Sequence, residues 1–307
     1  MKTEGRTFVV SGGSSGLGLA TTLTLLSAGA NVSILDINPP PPTASPLLTN
    51  PARTLYTKTD VSRTASLQHA ISSTLTWINT ATHFPLGGVI CCAGIGYGER
   101  ALPRQDPNNS TSDAVKTMSI EAFDRVIAIN LRGTVDLIRL VLPHIAAVEP
   151  EGDDGERGVV VVVSSVAAYE GQVGQVAYSA SKAAVAGLVL PLAREVGRAA
   201  GIRVLGVAPG VFQTGMTMTP RKAAGGGAGT GAGAGAGAGK GGGSGSGEKK
   251  RPSTAERSGI NTGMIEYPLR MGRPEEFAEF VLGCVRNGMV NGSVFRLDGA
   301  VRMPSRL

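Results

Sequence analysis

Residues 7–18 read Thr7-Phe8-Val9-Val10-Ser11-Gly12-Gly13-Ser14-Ser15-Gly16-Leu17-Gly18. The opening run is β-branched and aromatic with no polar alternation, the pattern of a strand buried on both faces. Glycines follow, and from Leu17 to Ala28 apolar residues recur at helical spacing. A strand that turns through glycines into a helix points unpaired backbone N–H groups at the helix's positive end, a ready site for phosphate. Gly12, Gly16 and Gly18 form GxxxGxG, with Ser14 and Leu17 in the same turn. Each glycine lets backbone approach a pyrophosphate or lets the helix lie close on its strand. An ordinary tight connection would also use glycines. The flanking strand and helix, and Asp36 at the end of the second strand, favour a dinucleotide site.

Asp36 can accept both hydroxyls of a ribose, whereas a 2′-phosphate there would meet like charge, so NAD is expected over NADP. Neither Ser15 nor Ile37 offers a cation for such a phosphate. A solvated strand-end carboxylate is the competing reading of Asp36. Asp60 and Val61 follow the third strand, and Cys91-Cys92-Ala93-Gly94 ends the fourth. Both lie at the carboxyl edge, where ligands collect in open α/β sheets. Asp60 and Val61 can flank an adenine, and Cys92, Ala93 and Gly94 can bring backbone close to the cofactor; a turn or cap role suits each equally well.

Apolar β-rich runs at Thr7–Val10, Val32–Leu35, Val89–Cys92, Val159–Val163, Val204–Val207 and Ser293–Leu297 alternate with helical patterns. Those helices are Leu17–Ala28, Ala65–Ile78, Ile120–Ala147, Val176–Ala199 and Glu275–Val285. The alternation predicts a doubly wound parallel sheet, an α/β Rossmann fold, in a single domain. At 307 residues and 42% hydrophobic the chain can bury one large core. Pro39–Pro42 reads as a surface loop. Ala224–Gly247 is almost wholly glycine and alanine, lacks side chains to offset backbone entropy, and is expected to be a disordered insertion in the substrate-loop region.

The net charge is +6, but basic residues are scattered and only Lys249-Lys250-Arg251 forms a run, so no nucleic-acid partner is expected. A mildly basic surface also suits a polyanionic small molecule such as a coenzyme A thioester. No apolar run approaches the roughly 20 residues needed to cross a bilayer, and Met1–Gly5 is short for a signal peptide; a soluble protein without a membrane partner is expected. Three cysteines form neither a disulfide framework nor a zinc spacing, which suits a reducing compartment and predicts no metal.

Tyr178 and Lys182 are four residues apart in YSASK, on one face of a helix, and Ser165 precedes the tyrosine by thirteen. A phenol near pKa 10 is a weak base at neutral pH unless a neighbouring ammonium favours the phenolate. Tyr178 is therefore the candidate general base, Lys182 its electrostatic support, and Ser165 the hydroxyl that holds a substrate oxygen. Together they imply redox chemistry at a carbinol carbon. Asn130 can bind a water or backbone group beside them, or be structural. Pro209-Gly210 ends the sixth strand in a sharp turn, and Thr214 beyond it can bond a nicotinamide amide or cap local backbone.

GxxxGxG, Asp60, the Ala-Gly of 93–94, Asn130, Ser165, Tyr178, Lys182 and Pro209-Gly210 together resemble the short-chain dehydrogenase/reductase family. SVAAYEGQVGQVAYSASK at Ser165–Lys182, INLRGTVDLIRLV at Ile129–Val141 and RLDGAVRM at Arg296–Met303 are similar to its branch that acts on 3-hydroxyacyl-CoA thioesters. The resemblance implies NAD-dependent oxidation of a 3-hydroxyacyl-CoA in fatty acid β-oxidation, with steroids or other secondary alcohols as alternative substrates and a nucleotide-binding scaffold as the non-enzymatic one. It implies catalytic roles for Ser165, Tyr178, Lys182 and Asn130, a place near substrate for Gln175, and a homotetramer built on the two long helices. Cys91 stands where the family has asparagine. Ser305-Arg306-Leu307 is similar to the Ser-Lys-Leu address read by the peroxisomal import receptor, so a peroxisome is expected, with mitochondrion and cytoplasm as alternatives.

Overall fold

The computed structural model describes residues 1–102, 117–218 and 264–303. The glycine–alanine tract at 224–247, the basic run at 249–251 and the C-terminal Ser305-Arg306-Leu307 lie outside the described residues. Seven strands form one sheet in the order β3-β2-β1-β4-β5-β6-β7, and every neighbouring pair is parallel. They are β1 (Thr7–Ser11), β2 (Asn31–Asp36), β3 (Thr54–Lys58), β4 (Leu86–Cys91), β5 (Gly158–Val163), β6 (Ile202–Pro209) and β7 (Val294–Leu297). The helices are α1 (Gly16–Ser27), α2 (Thr64–Trp77), α3 (Ile120–Ile127), α4 (Gly133–Ala146), α5 (Val176–Gly187), α6 (Val189–Ala200), α7 (Gly215–Met218) and α8 (Pro274–Arg286).

Side-chain alternation divides the core between the two faces of the sheet. Phe8, Val10, Ile34, Val161 and Leu205 pack under α1 and α8 with Leu25, Leu26, Phe277 and Val281. Val9, Leu35, Val160 and Val204 pack under α2, α4, α5 and α6 with Leu67, Leu137, Val185 and Val189. β5 is almost pure valine and wholly buried, and each such side chain contributes roughly 1.5–3 kcal/mol on removal from water. The doubly wound fold read from the sequence is therefore the fold observed. Strand order reverses between β1 and β4, so a crevice opens at the carboxyl ends of these two strands, the usual ligand position in such sheets.

Two helices differ from their predicted form. The single helix expected over Ile120–Ala147 is α3 and α4 joined by a π-helical turn at Ala128–Arg132. Thr134 Oγ1 donates to the Asn130 carbonyl oxygen at 2.8 Å there, inside the widened turn. The helix expected over Val176–Ala199 is divided between α5 and α6 at Leu188. Taken together, Val176–Ala200 is long and apolar enough to cross a membrane by length and composition, with a mean hydropathy of 1.4, contrary to the expectation that no run approaches that length. In the fold its Val185, Val189 and Ala193 cover the sheet, and it carries Tyr178 and Lys182.

Candidate active site

The phosphate turn is built by contacts that tolerate no side chain. Gly12 has φ +66°, and a Cβ there would lie 2.8 Å from the backbone of Ala93. At Gly18 a Cβ would lie 2.1 Å from the Gly12 carbonyl oxygen and 3.2 Å from the Cys92 side chain. α1 thus starts flush against its own strand and against the end of β4. Gly16 has φ +52° and faces the side chain of Thr214. Leu17 packs against the core, while the Ser14 hydroxyl is buried with no hydrogen-bond partner. Asp36 Oδ2 accepts from the Ser14 N–H at 3.0 Å, and Oδ1 accepts from the Asn38 N–H at 3.1 Å. The carboxylate is therefore fixed at the rim of the turn. An orphan hydroxyl, two left-handed glycines and an anchored carboxylate fit a dinucleotide, whose phosphates accept hydrogen bonds and whose ribose donates them.

The candidate catalytic groups converge one strand further on. Ser165 follows β5 and opens a 3-10 turn at Val166–Ala168, its Oγ accepting from the Ala167 N–H at 3.1 Å. Tyr178 lies in the first turn of α5. Burial pushes its phenol above the ordinary tyrosine value, and a hydrogen bond with the Ser165 hydroxyl pulls it back. Lys182, one turn along, is 5% exposed. Its Nζ lies 5.9 Å from the centre of the Tyr178 ring and donates to the Val163 carbonyl oxygen at 2.8 Å. Burial brings this ammonium down from 10.5 to about 8, opposed by the thiols of Cys92 and Cys91. Those thiols are raised in turn, mainly by burial, that of Cys92 to about 12.

Asn130 sits in the π-helical turn and clasps one peptide unit. Its Oδ1 accepts from the Ile95 N–H at 2.8 Å, and its Nδ2 donates to the Ile95 carbonyl oxygen at 3.0 Å and to Ser181 Oγ at 3.1 Å. The Ser181 hydroxyl donates in turn to the Tyr178 carbonyl oxygen at 2.7 Å. Gly94 lies between these groups: a Cβ there would be 3.2 Å from Asn130 Oδ1 and 3.4 Å from Lys182 Nζ. The cofactor-side turn and the Tyr178 side thus share one wall.

The remaining candidates are peripheral or locally committed. Asp60 caps its own turn, Oδ1 accepting from the Ser62 N–H at 3.0 Å and the Ser62 hydroxyl at 2.6 Å. Val61 packs against Gly133 and the core. Pro209 closes β6, and the Gly210 N–H donates to the Leu297 carbonyl oxygen at 2.9 Å. Thr214 donates its N–H to Thr217 Oγ1 at 3.0 Å while its side chain meets Gly16. Gln175 precedes α5, and its Oε1 accepts from the Gln172 N–H at 3.0 Å. The amide left buried without a partner belongs to Gln172, at Nε2. Sequence reasoning singled out Gln175 from a segment containing two glutamines, with Gly174 at φ +89° between them.

The family model described as short chain dehydrogenase matches residues 6–225. The chain is 32% identical to human 3-hydroxyacyl-CoA dehydrogenase type-2, over 98% of this chain and 96% of that protein. It is 34% identical to the Drosophila melanogaster protein of the same name, over 96% of each. A solved structure of 3-hydroxyacyl-CoA dehydrogenase type-2 from Mycobacterium avium superposes with a TM-score of 0.75 at 30% identity, covering 100% of both chains. The cradle at β1, the convergence of Ser165, Tyr178 and Lys182, and these likenesses have one reading: the chain belongs to the short-chain dehydrogenase family and is an NAD(H)-dependent oxidoreductase.

Proposed function

We propose that this protein oxidises the 3-hydroxyl of a 3-hydroxyacyl-CoA to the ketone, as a step of fatty acid β-oxidation, with NAD preferred over NADP. The observation that carries the reading is the burial of Lys182 one turn from Tyr178 with Ser165 hydrogen-bonded to the phenol. NAD, when bound, supplies the acceptor for the hydride that leaves the carbinol carbon. Gly12, Ser14, Gly16 and the N-terminus of α1 would hold its phosphates, and Asp36 would hold the adenosine ribose. Tyr178 takes the hydroxyl proton, its phenolate favoured by the Lys182 ammonium against the cost of burial. Ser165 orients the alcohol oxygen toward the phenol. Asn130 acts on this geometry from behind, by fixing Ile95 and the α5 backbone.

The choice of substrate rests on the likeness to relatives named for 3-hydroxyacyl-CoA and on the EGQVGQ segment at 170–175. The proposed assembly is a homotetramer, supported by the resemblance and by exposed apolar side chains such as Val135 and Val176 on α4 and α5. Peroxisomal import is proposed from Ser305-Arg306-Leu307.

The test is NADH formation at 340 nm from NAD and a short 3-hydroxyacyl-CoA, with Tyr178→Phe and NADP run alongside. Turnover that falls at least 1,000-fold in the variant, while NAD binding persists, is the expected result; general acid–base catalysis of this kind contributes about 10²–10⁴-fold. Turnover of steroid alcohols but not thioesters would reassign the substrate. Tight NAD binding with no turnover of any alcohol would leave a scaffold.

A further inference from the structure

The loop between Ser165 and Tyr178 contains one 3-10 turn and otherwise irregular backbone, yet it must place both hydroxyls. Two ties reach it from outside. On one side the Glu99 N–H donates to the Gly174 carbonyl oxygen at 2.8 Å. On the other, Glu170 is held by the segment Arg296–Met303: Oε1 accepts from Arg296 at 2.6 Å, and Oε2 accepts from the Met303 N–H at 2.8 Å. Arg296 also donates to Asp298 Oδ2 at 2.7 Å and to the Val301 carbonyl oxygen at 2.9 Å, and it lies over the Tyr169 ring at 5.9 Å. Arg302 approaches Glu170 at 3.6 Å. Beneath this knot Val166, the residue after Ser165, packs with Val301 and Ile265.

The same segment braces two other parts of the site. Leu297 accepts from the Gly210 N–H, and the Gly299 carbonyl oxygen accepts from the N–H groups of Glu266 and Tyr267. One short stretch thus touches the catalytic loop, the turn after β6 and the chain that returns toward α8. We infer that the Glu170–Arg296 pair is a positioning clamp that sets the alignment of Ser165 against Tyr178 from the far side of the loop. A charge-assisted, shared contact suits that task because it fixes direction as well as distance. For its rate readout the inference rests on the function proposed above; its other two readouts do not.

Glu170→Gln keeps the shape of the side chain and removes its charge, and Arg296→Lys keeps the charge and loses the fork. In Glu170→Gln, amide hydrogen exchange over residues 166–178 is expected to rise at least about 5-fold with exchange over residues 7–36 unchanged. The ionisation of Tyr178, read as the phenolate absorbance difference between each protein and its Tyr178→Phe counterpart, is expected to move to higher pH as the Ser165 hydrogen bond loosens. Where the wild type turns over, kcat should fall roughly 10–100-fold with NAD affinity unchanged, since misplacement of about 1 Å has that effect. Arg296→Lys should change each property in the same direction by a smaller amount. Unchanged loop exchange, or an unmoved Tyr178 titration, overturns the clamp. Exchange that rises across the whole sheet overturns it too, in favour of a merely structural salt bridge. Absence of wild-type turnover would instead count against the proposed function, with the clamp still judged by exchange and titration.

Discussion

Lys182 Nζ donates to the carbonyl oxygen of Val163 at 2.8 Å, tying the helix that carries Tyr178 to the strand that delivers Ser165. The bond satisfies one of three ammonium protons in a site that is nearly closed to water. Burial in that site dominates the downward shift of the ammonium to about 8.

That shift sets a pH dependence of stability. Lys182 in the folded chain releases its proton near pH 8, and in the unfolded chain near 10.5. Between these values the unfolded state binds more protons at this group, so Lys182 raises stability with pH from about 8, its penalty fully present below; above about pH 9 the buried thiols of Cys91 and Cys92, raised from 9.0, act in the opposite sense, so the net rise, on the order of 1 kcal/mol, lies between about pH 8 and 9. Urea melts of the cofactor-free protein from pH 7 to 9 should show the rise, and Lys182→Met should flatten it. A parallel slope in the variant would place the titration elsewhere.

Asn130→Ala should cost about 2–3 kcal/mol, because it strands the N–H and carbonyl of Ile95 and deprives Ser181 of its donor. Asn130→Asp should recover the Ile95 N–H bond alone. Denaturant midpoints at constant m value would report both.

Asp36→Ala removes the acceptor of the Ser14 and Asn38 N–H groups along with the proposed ribose contact. NAD affinity is expected to fall about 10–100-fold, since hydrogen bonds to a charged group are worth roughly 1.5–3 kcal/mol, while NADP affinity holds or improves. Fluorescence titration with each dinucleotide measures the ratio; an unchanged ratio would deny Asp36 its selective role.

Two glycines give opposite expectations. Gly18→Ala forces a methyl to within 2.1 Å of the Gly12 carbonyl oxygen and should destabilise by about 1–3 kcal/mol while abolishing dinucleotide binding. Gly187→Ala meets nothing within 4 Å at the end of α5, and should stabilise by about 0.5–1 kcal/mol. Thermal melts with and without NAD would compare them.

The sheet and the cradle were legible because their signals are local. A valine run such as Val159–Val163 and a glycine pattern such as Gly12–Gly18 each encode a geometry within one turn of chain. YSASK likewise gives its own spacing, since a helix places residues four apart on one face. The partners of Asn130 were not legible: they sit 35 and 51 residues away in sequence. The same holds for Glu170 and Arg296, 126 residues apart, whose pairing follows from where β7 ends against the loop after β5. That Gln172 rather than Gln175 carries the unpartnered buried amide was not legible either, because a loop has no period to say which of two amides faces inward. The break of the long helices was missed for a different reason. Nothing in the apolar pattern of Ile120–Ala147 distinguishes a π-helical turn from a regular one, and the Thr134 hydroxyl on the Asn130 carbonyl is a contact that Thr21 and Thr74 also make within regular helices.

That π-helical turn at Ala128–Arg132 makes the region sensitive to a kind of change that point substitution does not sample. The turn carries extra chain between α3 and α4, and a helix advances about 100° per residue. Losing a single codon within it would close the turn into regular α-helix, leaving the buried face of Leu137, Ile138 and Val141 on the sheet while withdrawing Asn130 from Ile95. An in-frame deletion of one residue there would thus spare the core and strike only the clasp that Asn130 makes on Ile95.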